Sequence, residues 1–268
     1  MSDPWLELCR AAVADTRRVL ETMPGRAERE PVVGAGQGGD ETTAVDAAVE
    51  AVVIERLRAS GETFTLVSEE LGVERIGDGA DDGTVVVLDP IDGSLNAKRG
   101  IPFFSLSLAV AEGPAMRDVV FGYVYDFGTG EEWTAERGRG AALNGEPLGA
   151  VRPKDEIEIL SFEATTTAFV VERAAAMTEL AYRLRIMGSL ALSLCHLAAG
   201  RVDAVCSLKP ARSVDIAAAQ LLVRECGLAI DLFDAPPFED ALLDLGARSR
   251  VAAAGTPELV ARLAAALA

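Results

Sequence analysis

Histidine is almost absent from this chain of 268 residues: His196 is the only one. It falls in Leu190-Ala191-Leu192-Ser193-Leu194-Cys195-His196-Leu197, an apolar helical pattern, and reads as a structural side chain. A histidine triad needs a nucleophile beside the ring, and zinc sites usually need several soft ligands. Cysteine is scarce too. Cys9, Cys195, Cys206 and Cys226 form no C-x-x-C pair, and Cys195 and Cys226 lie in apolar helical patterns that predict buried, reduced thiols. Lysine occurs only at Lys98, Lys154 and Lys209, the other basic residues being arginine. With 25 basic against 42 acidic residues the net charge is −17, which disfavours nucleic acid as a partner because phosphate contacts need clustered cations. An acidic, Lys-poor, Ala-rich surface fits a GC-rich genome and a halophilic, high-salt cytoplasm, where salt screens self-repulsion. No apolar run reaches the roughly 18 residues of a membrane span. Met1-Ser2-Asp3-Pro4 lacks a basic region and an apolar signal core, so a cytoplasmic protein is expected. These absences leave carboxylates to carry any chemistry.

What is present is globular: half of the residues are apolar, and the length predicts two packed sub-domains, 1–150 and 151–268. Residues 4–22 read as an amphipathic helix with Trp5, Leu8, Ala12 and Val19 on one side. A Gly-rich loop follows through residues 34–40. Thr42 or Thr43 then caps a helix carrying Val45, Val49, Val52, Val53 and Leu57. Strands are predicted over 63–67, 84–88, 103–111, 119–125, 131–135 and 140–143, with an acidic loop over 71–83 and a turn at Asn144-Gly145. Beyond residue 150 strands alternate with helices: strands at 157–162, 203–208, 228–232 and 251–254, helices at 170–181, 189–199, 214–226 and from Thr256.

The most informative stretch is Leu88-Asp89-Pro90-Ile91-Asp92-Gly93-Ser94-Leu95-Asn96. It places two carboxylates three residues apart just beyond the apolar run Val85-Val86-Val87-Leu88. The Asp-Pro pair is expected to end that strand, and Gly93-Ser94 to turn the backbone and expose its N–H groups. Such a corner holds a hard metal ion on oxygen and a phosphate on backbone donors. Glu69, Asp89, Asp92 and Asp215 all sit where strands end or helices begin, the ends at which sites form. Four acids in one pocket would be unstable without cations, so a metal site is the economical reading against solvated or helix-capping acids. A calcium loop is rejected, because the third acidic position is missing and Gly100 stands where the twelfth-position Glu belongs. Residues 34–39 match G-x-G-x-x-G without a full preceding strand or a ribose-binding acid, so they read as a mobile loop over a site.

Asp89-Pro90-Ile91-Asp92-Gly93-Ser94-x-Asn96 resembles the D-P-[IL]-D-G-[TS]-x-N signature of the inositol monophosphatase family. Glu69-Glu70 resembles its G-E-E element, and Val214-Asp215-Ile216-Ala217-Ala218 its W-D-x-A-A signature. Asn96-Ala97 with Gly100-Ile101-Pro102-Phe103, and Val214 in place of Trp, are more similar to the archaeal branch, which acts on inositol monophosphate and fructose 1,6-bisphosphate. The resemblance implies an α/β fold, a five-layer αβαβα sandwich of two sub-domains with the site in the cleft between them. It implies a phosphoric monoester hydrolase using two or three Mg²⁺ ions and an activated water. The implied metal ligands are Glu69, Asp89, Asp92 and Asp215, the Ile91 carbonyl, and Asp40 for a third ion. Ser94, in the place of the usual Thr, would pair with Asp46 to orient the water, and Gly93 and Ser94 would give N–H groups to the phosphate. Gly188 and Ser189 resemble a substrate-contacting Gly-[ST] element, and Arg185, Lys209 and Arg212 are candidates for a second phosphate. A small phosphate ester is the expected partner and a homodimer the expected assembly. The alternatives are a 3′-phosphonucleotide phosphatase of the same superfamily and a non-catalytic metal-binding homologue.

Overall fold

A computed structural model describes residues 4–37, 41–80, 83–152, 154, 156–163, 166–234 and 236–267. The elements in order are α1 (Pro4–Thr22), α2 (Arg26–Arg29), β1 (Val32–Ala35), β2 (Glu41–Thr43), α3 (Ala44–Arg58), β3 (Phe64–Ser68), β4 (Gly72–Ile76), β5 (Val85–Asp92), α4 (Ser94–Arg99), β6 (Ser105–Ala111), β7 (Val119–Asp126), β8 (Glu132–Glu136), β9 (Gly140–Leu143) and β10 (Glu146–Leu148). There follow β11 (Ile157–Phe162), α5 (Thr167–Leu180), β12 (Ala181–Arg185), α6 (Leu190–Ala198), β13 (Ala204–Cys206), α7 (Ser213–Glu225), β14 (Ala229–Leu232), β15 (Val251–Ala254) and α8 (Pro257–Leu267).

Two large sheets result. The first has eight strands in the order β10-β9-β8-β7-β6-β5-β3-β4, antiparallel except for the parallel pair β3 and β5. The second has five, in the order β12-β11-β13-β15-β14, with β11 parallel to both neighbours and β15 antiparallel to both of its own. β1 and β2 pair as a separate antiparallel ribbon.

Side-chain alternation sorts these sheets into five layers, because successive strand residues face opposite sides. In β5, Val86 and Leu88 join α1 and α3 residues such as Val13 and Val49 in one core. Val87 joins Leu194 of α6 and Leu221 of α7 in a second core, to which Val205 and Ala253 of the other sheet also belong. Leu160, Cys206 and Ala252 face away from it into a third core with Met177 of α5 and Leu263 of α8. The order is therefore α1/α3, first sheet, α6/α7, second sheet, α5/α8. Each fully buried Val or Leu in these layers contributes roughly 1.5–3 kcal/mol of transfer free energy. Buried Cys9, Ala12, Val13 and Thr16 give α1 its i, i+3, i+4, i+7 face, with Trp5, Leu8 and Val19 half-buried against it.

The sheets correct three expectations. β5 does not end at Asp89-Pro90 but runs on to Asp92 through an irregularity in its pairing with β6. Proline is tolerated there because a bulge needs no ladder hydrogen bond from it. The acidic loop over 71–83 contains β4, an edge strand whose charged residues and 65 % exposed Val73 hide its pairing with β3. β12 was not expected at all: Tyr182, Arg183 and Arg185 are exposed on the outer edge of the second sheet. All four cysteines are buried, and none forms a disulfide. His196 packs between the rings of Phe103 and Trp133, a structural placement. Among the described residues no helix is long and apolar enough to cross a membrane.

Candidate metal centre and active site

The bulge in β5 builds the centre. Asp89 pairs with Ser107 and Asp92 with Ser105, so three steps on one strand oppose two on the other. In a regular strand residues three apart point to opposite faces; the extra residue returns Asp92 to the face of Asp89. Ile91 goes the other way, into the core beneath α3. The Asp89 side chain accepts the Ile91 N–H at 3.0 Å and steadies the corner. Glu69 follows directly after β3, the parallel neighbour of β5, and its N–H reaches the Leu88 carbonyl at 3.2 Å.

Asp215 arrives from α7, whose first turn points at these strand ends. Its carboxylate accepts the Arg212 N–H at 2.7 Å, as an acid three residues into a helix does. One carboxylate oxygen each from Glu69, Asp89 and Asp215 lies within 4.8 Å of the others. Burial raises the Asp89 carboxyl well above the usual range, the neighbouring Glu69, Asp92 and Asp215 charges adding to it. Burial, then Asp215, pushes Glu69 up to about 8. Burial likewise pushes Asp92 up to about 7, against the hydrogen bond from Ser189. Three hard oxygen donors that close, the Glu69 and Asp89 carboxyls raised by burial, fit a divalent hard ion.

Asp92 ties the first sheet to the start of α6. Its Oδ2 accepts the Ser189 hydroxyl and, at 2.8 Å, the Ala191 N–H at the start of α6. Ser189 caps that helix, accepting the Leu192 N–H at 3.2 Å. Asn96 adds a second tie, donating to the Phe103 carbonyl at 2.8 Å and the Met187 carbonyl at 2.7 Å. Gly93 must be glycine: its φ is 95°, and a Cβ there would stand 3.1 Å from the Gly188 and Phe103 carbonyl oxygens. Gly188, also at positive φ, donates its N–H to Glu163 at 2.9 Å.

A cavity of about 160 Å³ opens beside this junction, lined in part by Asp92, Asp215, Glu163, Lys209, Arg212 and Arg248. Larger clefts, of about 420 to 530 Å³, lie elsewhere on the surface without the acid cluster. Several expected residues are placed differently from their sequence reading. Arg212 is buried and lines the cavity, but its guanidinium donates to Glu69 and lies 3.5 Å from Asp215, so it is tied to the acids and only partly offsets them. Arg185 sits exposed at the end of β12, bonded to its neighbour's carbonyl and away from the cavity lining. Asp46 is buried and caps α3, its Oδ2 accepting the Thr43 N–H at 3.0 Å and the Thr43 hydroxyl at 2.5 Å, while Oδ1 has no hydrogen-bond partner among the described residues. The Ser94 hydroxyl donates to the Ile91 carbonyl at 2.9 Å, not to Asp46. Asp40 lies outside the described residues.

Glu163 and Arg248 were missed from the sequence. Glu163 ends β11 as Glu69 ends β3, so the strand-end rule that found one would have found the other. It accepts the Ser161 and Ser193 hydroxyls at 3.1 and 2.7 Å as well as the Gly188 N–H. Arg248 lies in an irregular segment and carries no local signal.

A family model, inositol monophosphatase family, matches residues 5–268. The fructose-1,6-bisphosphatase/inositol-1-monophosphatase of Methanothermobacter thermautotrophicus is 32 % identical over 263 residues, 95 % of this chain and 93 % of its own. The Nus factor SuhB of Salmonella typhimurium is 37 % identical over 225 residues, 81 % of each chain. The solved structure of the MJ0109 gene product, an inositol monophosphatase–fructose 1,6-bisphosphatase, superimposes with a TM-score of 0.83 at 28 % identity, over 99 % of this chain and all of that one. Family match, shared fold and a cluster of metal-competent acids agree: this chain belongs to the inositol monophosphatase family of metal-dependent phosphatases.

Proposed function

We propose that this protein is a Mg²⁺-dependent phosphomonoester hydrolase acting on fructose 1,6-bisphosphate, inositol 1-phosphate or both. The observation that carries this reading is the convergence of Glu69, Asp89 and Asp215 within 4.8 Å, beside a cavity that Asp92 and Asp215 also line. Two or three Mg²⁺ ions are proposed, held by Glu69, Asp89, Asp92, Asp215 and the Ile91 carbonyl, with Asp40 for a third. When bound, such ions neutralise phosphate charge and make water a better nucleophile.

The chain's own residues do the rest. Gly93 and Ser94, at the turn into α4, are proposed to face the reacting phosphate with their N–H groups. Ser94, released from the Ile91 carbonyl, and Asp46, through its unpartnered Oδ1, are proposed to share the attacking water's protons. Gly188 and Ser189 set the wall next to Asp92 and are proposed to contact the sugar hydroxyls. Residues 1–150 would thus supply the main metal site and 151–268 Asp215 and the substrate wall, as two sub-domains. Buried cysteines without disulfides support a reducing, cytoplasmic setting. A homodimer and a salt-adapted surface complete the proposal.

The test is phosphate release with and without Mg²⁺ from inositol 1-phosphate, fructose 1,6-bisphosphate and adenosine 3′,5′-bisphosphate. Mg²⁺-dependent release from either of the first two is expected. Strong preference for the nucleotide, or no release from any, defeats the reading.

A further inference from the structure

Arg248 is brought to the cavity by a contact that no local pattern announces. It stands in the irregular segment before β15. An isolated antiparallel bridge joins the next residue, Ser249, to Ala211: the Ala211 N–H donates to the Ser249 carbonyl at 2.8 Å, and the reverse bond is 3.1 Å. The Ser213 hydroxyl donates to the Asp244 carbonyl at 2.6 Å and holds the same two segments together. The Ser207 hydroxyl donates to the Lys209 carbonyl and steadies the turn that carries Lys209. Lys209 and Arg248 therefore line one cavity with Asp92 and Asp215.

Charge in that cavity is segregated by depth. Asp92 and Glu163 are buried, whereas Lys209 and Arg248 are exposed. The third cation, Arg212, is buried against Glu69 and Asp215. A chain of net charge −17 repels polyanions, so a doubly phosphorylated substrate needs local cations to dock. A guanidinium fork beside an ammonium suits a phosphate, with two parallel N–H donors and a mobile point charge.

We propose that Arg248, with Lys209, forms a subsite for a second phosphate of the substrate, and that Arg248 sets the preference for a bisphosphorylated sugar over a monophosphate. This rests on the phosphatase reading above. The experiment compares kcat/KM for fructose 1,6-bisphosphate and for inositol 1-phosphate in wild type, Arg248→Ala, Arg248→Lys and Lys209→Ala, each shown to be folded by its melting temperature. The bisphosphate-to-monophosphate ratio is expected to fall about tenfold or more in Arg248→Ala through KM, as loss of a charged hydrogen bond implies. Arg248→Lys is expected to recover part of it. A ratio within twofold of wild type in Arg248→Ala overturns the subsite. Calorimetric titration with fructose 1,6-bisphosphate reads the same subsite without turnover: affinity about tenfold weaker in Arg248→Ala supports it, and equal affinity overturns it. A wild type that hydrolyses neither compound defeats the phosphatase reading alone, because the titration still decides the subsite.

Discussion

The Arg212 guanidinium, at the head of α7, donates to the Glu69 carboxylate after β3, 143 positions away in the chain. One cation thus stands among carboxylates that would otherwise repel one another, and it links the helix carrying Asp215 to the strand ends carrying Glu69 and Asp89. Its charge does not balance the cluster, which keeps raised pKa values in spite of it.

That imbalance sets the pH dependence of the metal-free protein. Glu69 rises from 4.5 to about 8 and Asp92 from 3.8 to about 7, burial being the main cause of each. Because the folded-state values exceed the unfolded ones, the stability these protons contribute is full below the unfolded values and is lost as pH rises through 7 to 8. Melting temperature in EDTA is expected to fall between pH 5 and 8, and Mg²⁺ to reverse the fall most at pH 8. A metal-free melting temperature that rises across this window contradicts the assignment.

Asp92→Asn and Asp215→Asn each remove a charge while keeping shape and most hydrogen bonding. Turnover is expected to drop at least about a hundredfold in either, the scale of losing one electrostatic contact to a reacting phosphate. Circular dichroism and melting temperature are expected to stay close to wild type. Either variant retaining near-normal turnover removes that residue from the centre.

Ser94→Ala separates proton handling from metal binding. Among the described residues its hydroxyl bonds the Ile91 carbonyl alone, so the fold loses little. kcat is expected to fall about ten- to a thousandfold while the Mg²⁺ concentration giving half-maximal activity moves less than threefold. A shift confined to the Mg²⁺ requirement points instead to a role in holding the ion.

Gly93→Ala tests the corner itself. With φ at 95° and two carbonyl oxygens 3.1 Å from the added Cβ, the variant is expected to lose about 1–3 kcal/mol of stability and most activity. Denaturant unfolding measures the first, and a midpoint equal to wild type shows that the corner relaxes freely.

The charge of −17 predicts a salt response. Melting temperature is expected to rise steadily from low salt to about 2 M KCl as surface repulsion is screened. Full stability at low ionic strength argues against adaptation to a salty cytoplasm.

The sequence by itself determined the elements with strong periodicity and the identity of the acids. β11 and β15 match their expected bounds, because short segments rich in apolar residues and bounded by turns have few other outcomes. The Asp89-to-Asn96 segment pointed to a metal and phosphate corner, and the structure brings its Asp89 together with Glu69 and Asp215. Local pattern could not show that β5 continues through Pro90, since the bulge exists only against β6. Nor could it show that Asp215 caps its own helix while joining Glu69 and Asp89. Tertiary structure alone decided which cations face the cavity. Burial tied the cavity-lining Arg212 to Glu69, an edge strand carried Arg185 away, and a two-bond bridge between Ala211 and Ser249 brought Arg248 in. The physical reason is range: periodicity and turn chemistry act over a few residues, whereas the charge balance of a cleft is set by groups that only packing makes neighbours.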